Sequence, residues 1–453
     1  MKVHISLISV FPEMHDSFLN ASLIKRAQDA GILTVSTYKF STFLPVTERI
    51  DVPACGPGAG MVIKAEVVAA AIDTAIAEHG VGTVVFFSPQ GQQLTQPLLR
   101  EMYTQICDKS DMSSASCGAV AQHIILVCGR YEGVDHRTEL HYADYVLSIG
   151  DYVLMGGDLP AQVFIESYLR LIPGIVGRSA SVEEDSFSTY MFDYPAYGKP
   201  IEWRGMDVPE VLLSGNHAKI NAWRTQHALA ETVCKRFDWV RRHAIFGQEL
   251  LAVARHIPPH VVVLMHNDIV ASKEGNIGTS SVTTLDIHDI ARSAATYGIQ
   301  QYYLVTSLHD QQKLVEQFLS FWHSHKGEKY NKDRFEAMRR IILKSSLDEV
   351  YCHMKETYGK EPIVIATSAR ANKSEVPSIT YHDQAEVWRH NRPVMIVLGT
   401  AHGLSDACIR KSDYVLCPLR GFTQYNHLSV RSAAAIIFDR WLGLQERVVV
   451  QKS

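Results

Sequence analysis

Long apolar runs are missing from this chain. Nowhere do roughly 18 consecutive apolar residues occur, so no membrane-spanning helix is expected. Paired cysteines are missing too. The eight Cys are scattered without a C-x-x-C pair, which indicates neither a zinc ribbon nor a disulfide frame and points to reduced thiols in a cytoplasmic setting. The 21 His include no H-E-x-x-H, so no His-based metal site is expected. A large charge of one sign is also lacking: the formal net charge of -4 argues against a generally basic nucleic-acid binder, although local basic patches still count. The opening M-K-V-H-I-S-L-I-S-V-F-P-E-M has one Lys and no small-residue cleavage site, and reads as a first strand, not a signal peptide. Phosphate-binding loops are absent as well. There is neither a Walker Gly-Lys-Ser/Thr nor a G-x-G-x-x-G, which removes the nucleotide-hydrolase and dehydrogenase classes.

What is present is an alternation of strand-like and helix-like segments. With 453 residues, 46% of them hydrophobic, two or three globular domains of roughly 100–200 residues are expected. Val3–Val10, Thr83–Phe87, Ile124–Val127 and Tyr145–Ile149 are nearly continuous apolar runs, the mark of strands covered on both faces. Ala65–Ala77 and Pro97–Ile106 have helical spacing. At 177–189 the chain turns small, polar and acidic (G-R-S-A-S-V-E-E-D-S-F-S-T), which reads as a linker. Residues 209–254 are mostly helical in pattern, and Pro258-Pro259 marks a second break. Strand-like runs resume at Val261–Leu264, Tyr302–Val305, Ile363–Ala366 and Val394–Leu398. The expected fold class is α/β with mostly parallel sheets, divided into 1–177, a linker at 178–189, a small helical domain at 190–255, and 260–453.

The two ends of this pattern repeat one another. I-I-L-V-C-G-R-Y-E-G-V-D at 124–135 and M-I-V-L-G-T-A-H-G-L-S-D at 395–406 are each an apolar strand followed by Gly-x-x-x-Gly. D-Y-V-L then recurs at 144–147 and 413–416, and helices follow at Gln162–Leu171 and Ser429–Trp441. The ordered series suggests two copies of one α/β unit. In the first copy a further glycine-bearing loop, I-G-D-Y-V-L-M-G-G at 149–157, ends the next strand. Loops at adjacent strand ends form the crevice where open α/β sheets take ligands. This crevice offers backbone N–H and C=O groups without a cluster of cations. It suits an uncharged base or a cationic cofactor and suits a triphosphate badly.

Further stretches carry a resemblance: S-P-Q-G at 88–91, S-I-G-D-Y-V-L-M-G-G-D-L-P at 148–160, I-P-G-I-V-G at 172–177, E-D-S-F at 184–187 and V-L-L-S-G-N-H-A at 211–218. With L-V-C-G-R-Y-E-G-V-D, they make the first 245 or so residues similar to the bacterial tRNA (guanine-37-N1) methyltransferases. Residues 260–443 resemble a smaller RNA methyltransferase domain, through T-T-L-D-I-H-D-I-A-R-S-A at 283–294, A-T-S-A-R at 366–370, L-G-T-A-H-G-L at 398–404 and Y-N-H-L-S-V-R-S at 425–432. Both families are of the SPOUT class. The resemblance implies trefoil-knotted sheets, S-adenosyl-L-methionine (AdoMet) as cofactor, a homodimer with sites at its interface, and the tRNA anticodon stem-loop as partner.

The same resemblance assigns residues. In the first half AdoMet is expected against Phe86, Pro89, Gly129 and Tyr131, against the run Ile149, Gly150, Asp151, Tyr152, Val153 and Leu154, and against Gly156 and Gly157. In the second half the counterparts are Gly399, Pro418, Leu419, Asn426, Leu428 and Ser429. Asp185 corresponds to the general base for guanine N1, Arg170 to the arginine at the target guanine, and Glu132 to a carboxylate near the sulfonium, with Mg²⁺ a candidate ion at Glu132 and Asp185. RNA contact is expected from Asp51, Asn216, His217, Arg224, Lys235 and Arg236, the last two within K-R-F-D-W-V-R-R-H at 235–243. The sequence departs from the family at 51–58, D-V-P-A-C-G-P-G, where Val52, Cys55 and Pro57 replace an acid, a tyrosine and a glycine. The second half shows no counterpart of Asp185, so its target stays open, as does the alternative that it is a non-catalytic RNA-binding or dimer-stabilising module.

Overall fold

The computed structural model describes residues 2–57, 60–113, 122–176, 185–243, 245–370 and 374–445. The chain forms two compact units, Met1–Thr189 and Tyr190–Ser453.

The first unit is built on a five-stranded sheet. Its strands are β1 (Val3–Ser9), β2 (Leu33–Lys39), β3 (Thr83–Gln93), β4 (Gln122–Val127) and β5 (Tyr145–Ser148), in the order β2-β1-β4-β3-β5. Every pairing is parallel. Helices cover both faces, which is why β1 and β4 are buried at every position. Helix Ala65–His79 places Val67, Val68, Ala71, Ile72 and Ala75 on one stripe against Ile8, Phe86, Ile125 and Val127. On the opposite face, Leu98, Leu99 and Met102 join Ala161, Phe164, Ile165 and Tyr168 of helix Asp158–Leu169 over Ile5, Leu7, Val85 and Leu126.

The second unit holds a seven-stranded, wholly parallel sheet. Its strands are β6 (His260–Met265), β7 (Gln301–Val305), β8 (Ile341–Lys344), β9 (Ile363–Thr367), β10 (Ser378–Ile379), β11 (Val394–Gly399) and β12 (Tyr414–Leu416). They run β8-β7-β6-β11-β9-β12-β10. The inner order β7-β6-β11-β9-β12 reproduces that of the first sheet, with one edge strand added on each side.

The repeat extends to atoms. After β4, the Gly133 N–H donates to Arg130 O at 3.0 Å, closing a turn with Tyr131 at φ +61°. After β11, Gly403 N–H donates to Thr400 O at 2.9 Å, with Ala401 at φ +50°. The Asp of each D-Y-V-L anchors the neighbouring strand. Asp144 accepts the Val84 N–H at 2.9 Å, and Asp413 accepts the Val364 N–H at 2.7 Å. Four-residue motifs recur because each copy needs the same strand-end clamp.

The helical segment shares the core of the second unit. Leu229, Val233, Phe237 and Val240 of helix His217–Val240 belong to one cluster with Val262, Ile396, Trp388 and Trp441. Arg241, 2% exposed, ends that helix. Its guanidinium donates to Arg440 O (2.6 Å), Gly443 O (2.7 Å) and Asp439 O (2.8 Å), the open carbonyl end of helix Val430–Leu442. Of the expected linker at 178–189, residues 178–184 lie outside the described residues, and 185–189 form irregular turns.

Candidate active site

A crevice of about 520 Å³ opens at the carboxyl ends of β3, β4 and β5. Phe86 and Pro89 line it from β3. Gly129, Tyr131 and Glu132 line it from the loop after β4, and Ile149, Gly150, Tyr152, Val153, Leu154, Gly156 and Gly157 from the loop after β5. Eleven of the twelve expected cofactor residues of this half therefore come together. Asp151 does not: it is exposed and stands outside the lining. Gln90, Ser148, His136 and Glu139 line the crevice without having been singled out. Gln90 lies inside the quoted S-P-Q-G; His136 and Glu139 carried no signal, because they face the crevice only through the short helix His136–Tyr142. Among the described residues, no Lys or Arg lines the crevice.

The glycines serve the loops' own packing. Gly157 N–H donates to Gly129 O at 2.8 Å, and Arg130 bridges antiparallel to Gly156. A Cβ on Gly157 would stand 2.9 Å from Cys128 Cα. These glycines let two loops of the chain approach one another.

Behind the loops lies a sealed polar node. Asp158, 1% exposed, accepts from Ser9 Oγ, from His15 Nε2 at 3.1 Å and from Arg130 Nε at 2.8 Å. Burial alone would raise its pKa; the donors from His15, Ser9 and Arg130 outweigh that and hold the carboxyl below its ordinary value. Burial pushes the neighbouring Cys128 thiol well up. His15, Cys128 and Asp158 are close enough to share an ion. Arg130 Nη2, 2.7 Å from the Asp158 carboxylate, already supplies the cation there, so the node reads as a strut for the G-R-Y-E-G loop.

Arg170 and Asp185 form an ion pair, both partly exposed, and neither lines the crevice. Glu132 is exposed at the crevice wall. Among the described residues, Glu132 and Asp185 belong to no group of three or more His, Cys or carboxylate donors. The hairpin Asp51–Pro53/Met61–Ile63 docks on the same loop, with Glu132 N–H donating to Met61 O at 3.0 Å, so the altered stretch keeps its place beside the site. Gly58 lies outside the described residues.

The RNA-contact residues fare unevenly. Asp51 is buried and holds Arg49, with Nη2 at 2.9 Å; the Arg49 hydrogen bond, against burial, lowers its pKa. A carboxylate enclosed in this way has no free face for RNA, and Arg49 is the exposed member of the pair. Asn216 caps helix His217–Val240 by accepting from Lys219 N at 3.1 Å, with His217 exposed beside it. The Arg224 guanidinium lies 4.3 Å from the Tyr194 ring. Lys235 pairs with Glu231, and Arg236 with Asp238 at 2.9 Å, at a kink in the helix. Phe237, Trp239, Val240 and Arg241 of the same basic run are buried, so four of its nine residues are core.

The second unit has its own crevice, of about 630 Å³. Gly399, Leu419, Asn426, Leu428 and Ser429 line it, together with Leu398, Cys417 and 367–370. Pro418 does not, since its two neighbours in the extended chain are the ones presented to the crevice. Asn426 Nδ2 donates to Ala369 O at 2.8 Å, tying the two loops that face each other. A Cβ on Gly399 would stand 2.4 Å from Leu404 N, the same internal constraint as at Gly157.

Comparison with known proteins gives a family match for each half of the chain. The family described as tRNA (Guanine-1)-methyltransferase TrmD matches residues 1–242, and the family described as SAM-dependent RNA methyltransferase matches 260–443. A tRNA (guanine-N(1)-)-methyltransferase of Nitratidesulfovibrio vulgaris is 35% identical over 97% of this chain and 99% of its own length. One of Oleidesulfovibrio alaskensis is 34% identical over the same shares, 97% and 99%. One of Staphylococcus carnosus is 40% identical over 54% of this chain but 94% of its own length, so it matches without a second half. The chain belongs to the tRNA (guanine-N1)-methyltransferase family and carries behind that enzyme a SAM-dependent RNA methyltransferase domain.

Proposed function

We propose that the first half methylates N1 of guanosine 37, the nucleotide 3′ to the tRNA anticodon, and that each crevice holds one AdoMet. The carrying observation is the lining of the first crevice: backbone groups and apolar side chains, the carboxylates Glu132 and Glu139, and, among the described residues, no Lys or Arg. That lining favours a sulfonium over a phosphate, and both volumes fall in the range of small-molecule sites, roughly 300–1,000 Å³. AdoMet supplies an electrophilic methyl group. The protein's task is to make guanine N1 nucleophilic. Asp185 takes the N1 proton, and Arg170 stabilises the negative charge that grows on O6. In the described state the two are paired with each other, so substrate must enter between them. That step fits a site completed only when tRNA is bound.

Other features support the assembly implied by the family. The exposed Phe11, Met14, Val153, Met155 and Leu159 give the first unit an apolar surface that suits a second copy. The strand order and loop packing suit the trefoil-knotted SPOUT class. The helical segment 190–255, with Asn216, His217, Arg224, Lys235 and Arg236, is the proposed tRNA-binding part, and the cytoplasm the proposed location.

The test is methyl transfer from labelled AdoMet to an unmodified tRNA transcript carrying G36-G37, with the label mapped by nuclease digestion. Label on N1 of G37 is expected. Asp185→Asn and Arg170→Ala each reduce turnover by on the order of 100-fold or more while leaving AdoMet affinity within a few-fold. Absence of label at position 37, or a large loss of cofactor affinity in either variant, overturns the assignment.

A further inference from the structure

The second crevice contains an ion pair that its cofactor role does not use. Asp286, 7% exposed, stands in the crevice wall near the start of helix Thr284–Thr296, and Arg431 stands there at the start of helix Val430–Leu442. Asp286 Oδ2 accepts from Thr283 Oγ1 at 2.6 Å, which fixes the carboxylate. Arg431 reaches it only loosely, Nη1 to Oδ1 at 3.4 Å, and reaches Asp289 through Nε at 3.5 Å. Tight charge-assisted pairs lie at about 2.7–2.9 Å. The guanidinium therefore keeps most of its donor capacity, and its side chain is 36% exposed.

The corresponding place in the first half shows what a purely structural tie looks like. There the node joins His15, in the segment after β1, to Asp158, at the start of the helix after β5. Those side chains are 0% and 1% exposed, and neither residue lines the crevice. In the second half the polarity is reversed, with the acid on the helix after β6 and the base on the helix after β12. The pair is loose and faces the cavity.

We propose that Asp286 and Arg431 are the acceptor site of the second half, and that its substrate is an RNA nucleobase presenting an N–H beside a C=O: guanine N1/O6 or uracil N3/O4. This rests on the reading that the crevice holds AdoMet. A fixed carboxylate next to a donor-rich guanidinium matches that edge, hydrogen for lone pair; a ribose hydroxyl has no carbonyl to satisfy the arginine. The base N–H gives its proton to the Asp286 carboxylate. The freed nitrogen lone pair forms a bond to the AdoMet methyl carbon as the C–S bond breaks. Its electrons stay on sulfur, leaving neutral S-adenosylhomocysteine, an N-methylated base and a carboxylic acid that returns its proton to water. Arg431 stabilises the carbonyl oxygen while negative charge is delocalised onto it.

The experiment uses the full chain with Asp185→Asn to silence the first half. It is incubated with total RNA from cells lacking the protein and methyl-labelled AdoMet, and the RNA is digested to nucleosides. Label is expected in 1-methylguanosine or 3-methyluridine. Adding Asp286→Asn, which keeps the shape and the Thr283 contact, should lower incorporation on the order of 100-fold. Adding Arg431→Lys instead should lower it less, with unfolding midpoints unchanged in both. Label in 2′-O-methylated nucleosides, no label at all, or an undiminished rate in Asp286→Asn overturns the proposal. AdoMet stoichiometry, measured on the same preparation, separates the two failures. One cofactor per chain means that the crevice reading itself is wrong; two per chain without base methylation means that only the acceptor assignment is wrong.

Discussion

Arg241→Ala should unfold the second unit more easily without acting through RNA. Sequence placed this residue in a basic run fit for phosphates; the structure buries it as a cap on helix Val430–Leu442. Burial pulls its pKa down, but an arginine remains charged. Hydrogen bonds to charged groups contribute roughly 1.5–3 kcal/mol each, and removing one partner of a buried ionic contact costs about 3–5 kcal/mol. Three carbonyls would lose the guanidinium at once, Asp439 O alone keeping a second donor among the described residues, Gly443 N–H, and such losses are not additive. The expected destabilisation is about 4 kcal/mol, or roughly 10 °C in the unfolding midpoint of a unit this size. Arg241→Lys keeps the charge but cannot reach three carbonyls, and should recover less than half of that loss. Thermal and urea unfolding of the full chain, followed by tryptophan fluorescence from Trp388 and Trp441, reads the effect. An unchanged midpoint together with weakened tRNA binding would refute the capping role and restore the phosphate role.

Acid should weaken the second unit. His260 is held neutral, its Nδ1–H donating to Pro258 O at 2.6 Å while Nε2 accepts from Trp441 Nε1 at 3.0 Å. Burial lowers the pKa of His260 to about 4, and burial likewise lowers that of His266 to about 4. The unfolded chain takes up these protons near pH 6.5, so stability is whole above pH 6.5 and is lost as pH falls toward 4, by about 3 kcal/mol for His260. A midpoint that stays flat down to pH 4.5 would contradict this. Gly157→Ala should cost about 1–3 kcal/mol in the first unit and weaken AdoMet binding, since its Cβ meets the backbone of Cys128. Differential scanning calorimetry and an AdoMet titration check the two effects, and a variant as stable and as tight as wild type would show that the loops have slack.

The sheets were legible where strands are buried on both faces. β1, β4, β6 and β11 are nearly continuous apolar runs, interrupted most in β1 by His4, Ser6 and Ser9, and all their residues but Gly399 are buried. β2, L-T-V-S-T-Y-K, escaped notice because it is an edge strand with half its residues open, so its apolar content is diluted. The duplication was legible because each copy repeats a clamp in which side chain and backbone act together, Asp144 on Val84 and Asp413 on Val364. The crevices were legible as glycine loops; that the glycines also fit the loops to one another was not. Spacing along the chain cannot say whether the atom that a Cβ would strike belongs to a ligand or to Cys128 and Leu404. The basic run misled for a related reason: a helix stripe of arginines looks alike whether it faces solvent or, as at Arg241, the open end of another helix.

One chain carries two separate crevices on two copies of one sheet, each proposed to hold AdoMet. Calorimetric titration of the full-length protein with S-adenosylhomocysteine, the reaction's product, measures this directly. Two molecules bound per chain are predicted; saturation at one per chain would contradict the account.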